Sequence, residues 1–95
     1  LSLPEKHIFK KAVLVEFFTP GVWVTGFITG EIRDAKSGEA YVKVFIPTVP
    51  NPTSGFLAIM KESQVRDPHW TVEEAMKMTI SGGIIGPEGI GTAGE

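Results

Sequence analysis

Three prolines, Pro47, Pro50 and Pro52, fall within six positions of one another. Each fixes φ near −65° and removes a backbone donor, so this stretch cannot be helix and cannot be a central strand. Yet it lies between two strand-like runs, Tyr41 to Ile46 and Phe56 to Met60. The chain is therefore committed to a β framework interrupted by a stiff loop of small residues. Two readings of that loop stand side by side. Asn51, Thr53 and Ser54 are small polar residues that readily bond backbone amides, which suits a self-capped corner. A rigid loop also loses little entropy on binding, which suits a preorganised docking surface. The candidate interaction residues on that second reading are Thr48, Pro50, Asn51, Pro52, Thr53, Ser54 and Gly55.

The rest of the chain reads as β structure followed by one helix. Lys10 to Phe18 has apolar residues on both faces, with Val13, Val15 and Phe17 on one and Ala12, Leu14 and Phe18 on the other. Such a strand is central and covered on both sides. Thr19-Pro20-Gly21 is a turn: proline presets φ at the second position and glycine supplies φ > 0 at the third. It predicts an antiparallel hairpin with Val22 to Ile32. There Val22, Val24, Gly26, Ile28 and Gly30 would share one face, and Trp23, Thr25, Phe27, Thr29 and Glu31 the other. Glycines inside a strand signal a bulge, a bend or a close backbone approach.

Arg33 to Glu39 is a polar surface loop. In Ala40 to Ile46, Val42, Val44 and Ile46 point one way and Tyr41, Lys43 and Phe45 the other. Phe56 to Met60 is the fourth strand, and Ser63 to Arg66 a short fifth or an extended edge. Thr71-Val72-Glu73-Glu74 is a capping box opening a helix over about Val72 to Ser81, with Val72, Ala75, Met76 and Thr79 on its buried face and Ile80 beside them. Gly82-Gly83 ends it. The fold class is α+β: four to five mostly antiparallel strands in a coiled sheet or partly open small barrel, with one C-terminal helix. Residues 10–85 would form the single domain, after a flexible segment at 1–9 and before a disordered glycine-rich tail at 86–95.

Composition narrows the function classes. A net charge of −2 gives little electrostatic support for binding nucleic acid. Lys6, Lys10 and Lys11 read as a solvated N-terminal edge. Cysteine is absent, which removes disulfides, thiolate nucleophiles and zinc–thiolate sites. His7 and His69 have no metal-ligand spacing, and Thr53-Ser54-Gly55 lacks the first glycine of a nucleophile elbow. Glu73 and Glu74 diverge around the helix and do not form an acid/base dyad. Trp23, Phe27, Tyr41 and Phe45 would line up as a packing stripe if the second and third strands pair. No catalytic, metal or cofactor residue is nominated, and the expectation is a protein that is not an enzyme. No apolar run reaches the ~20 residues needed to cross a bilayer. The chain opens on Leu1 rather than methionine, as expected of a piece of something longer.

The ordered blocks resemble a known family. They are Val13-Leu14-Val15-Glu16-Phe17, Pro20-Gly21-Val22-Trp23, Gly26-Phe27-Ile28-Thr29-Gly30-Glu31, Val44-Phe45-Ile46-Pro47-Thr48, Pro50-Asn51-Pro52-Thr53-Ser54-Gly55-Phe56, and Thr71 to Lys77 leading to Ile80-Ser81-Gly82-Gly83. This series is similar to DUF502, which includes the plant LIKE-COV (continuous vascular ring) membrane proteins, and it covers roughly residues 8 to 86. Met60 to Val65 departs from the family's more usual Val-Pro-x-x-Asp-Val. The resemblance implies a longer parent with transmembrane helices N-terminal to this region, and this chain as its soluble C-terminal domain on the cytoplasmic side. Plant relatives are associated with vascular patterning and endomembrane trafficking. The family brings no established catalytic residues. The function expected is a non-enzymatic interaction or assembly domain that contacts a protein partner or itself. The alternative is a small-ligand module with a cleft beside the Pro50–Gly55 loop.

Overall fold

The structure, a computed structural model, describes residues 9–17 and 19–91. Its elements are β1 (Lys11–Glu16), β2 (Trp23–Arg33), β3 (Ala40–Pro47), β4 (Gly55–Lys61), a 3-10 turn (Glu62–Gln64), β5 (Val65–Arg66) and α1 (Val72–Ile80). The strands form one antiparallel sheet in the order β4-β3-β2-β1-β5. The class is α+β, as the sequence predicts, and the sheet is not closed.

Chain length forces the sheet to curl. Five flat strands would hold β4 and β5 about 19 Å apart. Only the 3-10 turn separates them in sequence, so Lys61 and Val65 lie within about 14 Å even if that link is extended. Across the resulting trough the rings of Phe17 and Phe56 approach to 5.9 Å, although Phe17 follows β1 and Phe56 belongs to the non-adjacent β4.

Two apolar layers follow. Inside the curl are Val13, Val15, Val42, Val44 and Ile46, all buried, with Val24, Ile28, Ala58, Met60 and Val65 against them. Outside, Ala12 and Phe27 pack on Ala75 of α1, flanked by Phe9, Phe45, Trp70, Val72 and Met76. Ala12 through Val15 are therefore all buried, as a strand covered on both sides requires. Phe9 stacks on Phe27 at 4.8 Å and on Phe45 at 5.8 Å. Of the segment expected to be flexible, residues 1–8 lie outside the described residues; so does Phe18.

The β1–β2 turn takes the expected form, with Val22 N–H donating to Thr19 O at 3.3 Å and Gly21 at φ +87°. In β2 the face assignment needs correction beyond residue 28. The register steps from Ile28↔Val44 to Gly30↔Lys43, so Thr29 is an extra, bulged residue. A bulge inverts the alternation that follows it. Gly30 and Ile32 consequently join Lys43 and Tyr41 on the outer face, and Glu31 turns inward opposite Val42. Gly26 answers to close approach: a Cβ there would sit 2.6 Å from Val44 Cγ1.

The helix begins at the predicted capping box. Glu74 N–H donates to Thr71 Oγ1 at 3.0 Å, and Thr71 N–H to Glu74 Oε1 at 2.8 Å. At its end Gly83 N–H donates to Met78 O and Gly82 N–H to Thr79 O, a Schellman pair. Ala75 and Thr79 are the buried residues of α1, whereas Ile80 is 54% exposed and lies off the packed face. The short helix packs on β1 and β2 with Phe45 of β3 at the border of that cluster, and Leu57 and Ile59 on the outer face of β4 stay exposed. Beyond it, Trp70 Nε1 donates to Gly89 O at 2.7 Å, and Gly91 N–H to Pro68 O at 2.8 Å. The expectation of a disordered tail concerns 86–95: residues 86–91 carry these two bonds, and 92–95 lie outside the described residues.

Candidate functional site

The proline loop is a corner that satisfies its own polar groups. Thr48 N–H donates to Ser54 O at 2.9 Å, closing the loop where β3 ends. The Thr48 hydroxyl lies against Asn51 O, Ser54 O at 3.1 Å and Ser54 Oγ at 3.0 Å. Asn51 Oδ1 accepts from Thr53 N at 3.1 Å and from Thr53 Oγ1 at 2.6 Å. The Val49–Pro50 peptide bond is cis. Gly55 cannot be replaced without movement: a Cβ there would meet the Ile46 carbonyl oxygen at 2.1 Å and Pro47 Cα at 2.8 Å. The polar members of the predicted contact set, Thr48, Asn51, Thr53 and Ser54, thus bond one another. Pro50 is exposed and Pro52 half-buried.

Alongside its exposed polar residues the corner presents apolar groups outward. Val49 is 60% exposed and Phe56 58% exposed. Neither belongs to the predicted set, and the pattern that marks them, an apolar residue on each flank of a self-bonded loop, emerges only with the hydrogen bonds. Beside the loop lies an open groove of about 440 Å³. Its walls are Phe17, Trp23 and Thr25 from the β1–β2 end, Pro47 to Val49 with Phe56 from the loop side, and Met78, Thr79 and Gly83 from the end of α1. Among the described residues no titratable side chain lines it.

The charged groups gather elsewhere. A second opening, of about 460 Å³, has Val13, Ile28, Val42 and Val65 at its floor and Lys10, Lys11, Glu31, Glu62 and Asp67 around it. Lys11 Nζ lies 2.9 Å from Asp67 Oδ2, and His69 N–H donates to Asp67 Oδ1 at 2.8 Å. The lysine contact, seconded by the amide, holds the Asp67 carboxyl below its ordinary value. Asp34 is lowered likewise, first by the Lys36 amide in the β2–β3 loop. Neither carboxyl is in the apolar groove: Asp67 is held first by the Lys11 ammonium and Asp34 first by a turn amide. Among the described residues no His, Cys, Asp or Glu cluster could hold a metal ion; His7 lies outside them.

The edge of the sheet continues the same apolar surface. Thr48 N–H to Ser54 O sets the phase of the β3–β4 ladder, so Phe56, Ala58 and Met60 bond toward β3. The backbone N–H and C=O groups of Leu57 and Ile59 therefore point away, along the edge of β4 that no other described strand pairs. Their side chains stand on the uncovered outer face, 64% and 55% exposed. Lys61 N–H is taken by Gln64 Oε1 at 2.9 Å. From Gly55 to Met60 the strand carries no proline, charge or bulge, the devices that ordinarily blunt an edge.

Residues 1–54 match the sequence model of a family described as a protein of unknown function, DUF502. The chain belongs to DUF502. The matched span runs from the start of the chain through β1, β2 and β3 to Ser54 in the proline loop. The remaining blocks of the resemblance, from Gly55 through α1, lie beyond it. No curated protein and no solved structure matches this DUF502 chain. Among the described residues no helix is long and apolar enough to cross a membrane.

Proposed function

We propose that this DUF502 chain is a non-enzymatic interaction and assembly domain, and that its contact surface is the β4 edge held in place by the proline corner. The domain would belong to a membrane-anchored protein and sit on the cytoplasmic side. The family resemblance supports that setting. The observation that carries the assembly reading is the unguarded edge: outward-facing backbone groups at Leu57 and Ile59, beneath exposed apolar side chains. An edge of this kind pairs with another strand.

A second copy of the same strand fits best. An antiparallel pairing centred on Ala58 sets Leu57 opposite the partner's Ile59, so each free N–H meets a free C=O of the other copy. The two Lys61 side chains then lie at opposite ends of the pair, without like-charge contact. Ile59→Pro removes an outward N–H while leaving the β3 ladder intact. The unmodified chain is expected to sediment as a dimer at micromolar concentration and Ile59→Pro as a folded monomer with unchanged circular dichroism. A wild-type chain that stays monomeric under these conditions removes the reading.

The apolar groove favours one other reading, a small-ligand module. It predicts saturable chemical-shift changes confined to Trp23, Val49, Phe56 and Met78 at millimolar ligand or better. A screen whose shifts are scattered over the surface would dismiss it.

A further inference from the structure

We propose that the proline-loop end of the domain docks on the surface of a neutral lipid bilayer. The first observation is a segregation of charge. The nine Lys and Arg and eleven Asp and Glu residues all fall outside three blocks, residues 17–30, 44–60 and 78–87, and both histidines do too. The blocks are far apart in sequence, yet residues of all three line the groove beside the proline loop. The fold brings a part of each uncharged block to this groove, while Ile28 of the first block reaches the charged opening.

The second observation is what those segments expose. Ile84 is 89% exposed, Ile85 60%, Val49 60% and Val22 49%. They stand on three separate loops: Val49 lines the groove, Val22 directly precedes its wall residue Trp23 in the chain, and Ile84 directly follows its wall residue Gly83. Protein interfaces ring an apolar centre with a polar rim; here the loops themselves offer no charged side chain. Charge resumes around Trp23, with the exposed Glu16 opposite it across the β1–β2 ladder and Arg66 over its ring at 5.5 Å. An indole at the border of an apolar surface is the arrangement favoured at the headgroup level of a membrane.

The third observation is that several polar groups on the loops already bond within the protein. A polar group carried into a bilayer must be satisfied within the protein. Thr48 and Asn51 bond the proline corner internally. After α1, the Ser81 hydroxyl donates to Met78 O at 3.3 Å or Ile85 O at 3.2 Å and accepts from Ile85 N–H at 2.9 Å. With no basic side chain on these loops, attachment comes from apolar burial and not from anionic headgroups. It should therefore be insensitive to salt.

This docking does not depend on β4 pairing, because Leu57 and Ile59 stand on the outer face of β4 and line no part of the groove. The test uses the whole 95-residue chain with vesicles of phosphatidylcholine, scored by co-sedimentation and by quenching of tryptophan fluorescence with brominated lipid. The expected result is partitioning that is equal in low and high salt. The double variant Val49→Glu/Ile84→Glu should weaken it at least about tenfold. Both side chains are exposed, so the thermal melt should not move. Leu57→Lys/Ile59→Lys should bind vesicles as the parent chain does, while losing any dimer. Three results overturn the proposal: no partitioning to phosphatidylcholine, partitioning that needs phosphatidylglycerol and vanishes in salt, or unchanged partitioning of the Val49/Ile84 variant.

Discussion

At one mouth of the curled sheet, Lys10, Lys11, Glu31, Glu62 and Asp67 surround an apolar floor. At the other, Phe17, Trp23, Val49, Phe56 and Met78 surround a groove with no charged side chain. The same strands serve both mouths, so strand packing does not account for the contrast. Each mouth also has a tight corner, stabilised differently. The charged end uses Asp67 to hold Lys11 and the His69 amide. The uncharged end uses hydroxyls and an amide oxygen, which bond the backbone without bringing a charge. A corner made by Asn, Ser and Thr works in water and at a membrane surface alike; one made by carboxylate and ammonium needs water or a close partner.

The substitution that should break this contrast most sharply is Gly55→Ala. Its Cβ would strike the Ile46 carbonyl at 2.1 Å, and backbone cannot swing aside as a side chain can. We expect a loss on the order of 3 kcal/mol or more, read as a lower denaturation midpoint. An unchanged midpoint would show that the corner yields easily. Thr48→Val tests the uncharged hydrogen bonds more gently. It keeps the shape and removes the hydroxyl, and should cost about 1–2 kcal/mol; a cost near zero would mean that water replaces these bonds freely.

The smallest effect belongs to the charged mouth. Lys11 and Asp67 are both substantially exposed, so Asp67→Asn should cost less than about 1 kcal/mol at neutral pH. Because the folded carboxyl releases its proton more readily than the unfolded one, its contribution is full above the ordinary value of 3.8. It fades as pH falls through the lowered folded value. The stability difference between the parent chain and Asp67→Asn should therefore shrink on acidification. A difference that grows in acid would reverse the assigned direction.

What could be read from the sequence was local. The turn at Thr19–Gly21, the capping box at Thr71–Glu74 and the helix stop at Gly82-Gly83 each involve residues within a few positions, and each formed as expected. The proline corner was visible as an obstacle to regular structure, but the destination of its polar side chains was not. Whether Asn51 Oδ1 faces a partner or Thr53 depends on the loop's path. The simple alternation expected of β2 fails beyond Ile28, because one bulged residue at Thr29 inverts everything after it. Gly30 hinted at an irregularity without fixing its place. Ile80 fits the helical period of the buried stripe, but the helix turns it off the packed face.

By itself, then, the order of residues determined the kinds of element and where the backbone must turn, since proline φ, capping hydroxyls and glycine act over a single turn of chain. It also contained the three uncharged blocks. Only the tertiary structure decided that those blocks meet, that the sheet curls, and that Leu57 and Ile59 are left at an open edge. These outcomes depend on contacts between residues tens of positions apart, made when both apolar faces of β1 are buried at once, one inside the curl and one beneath the helix.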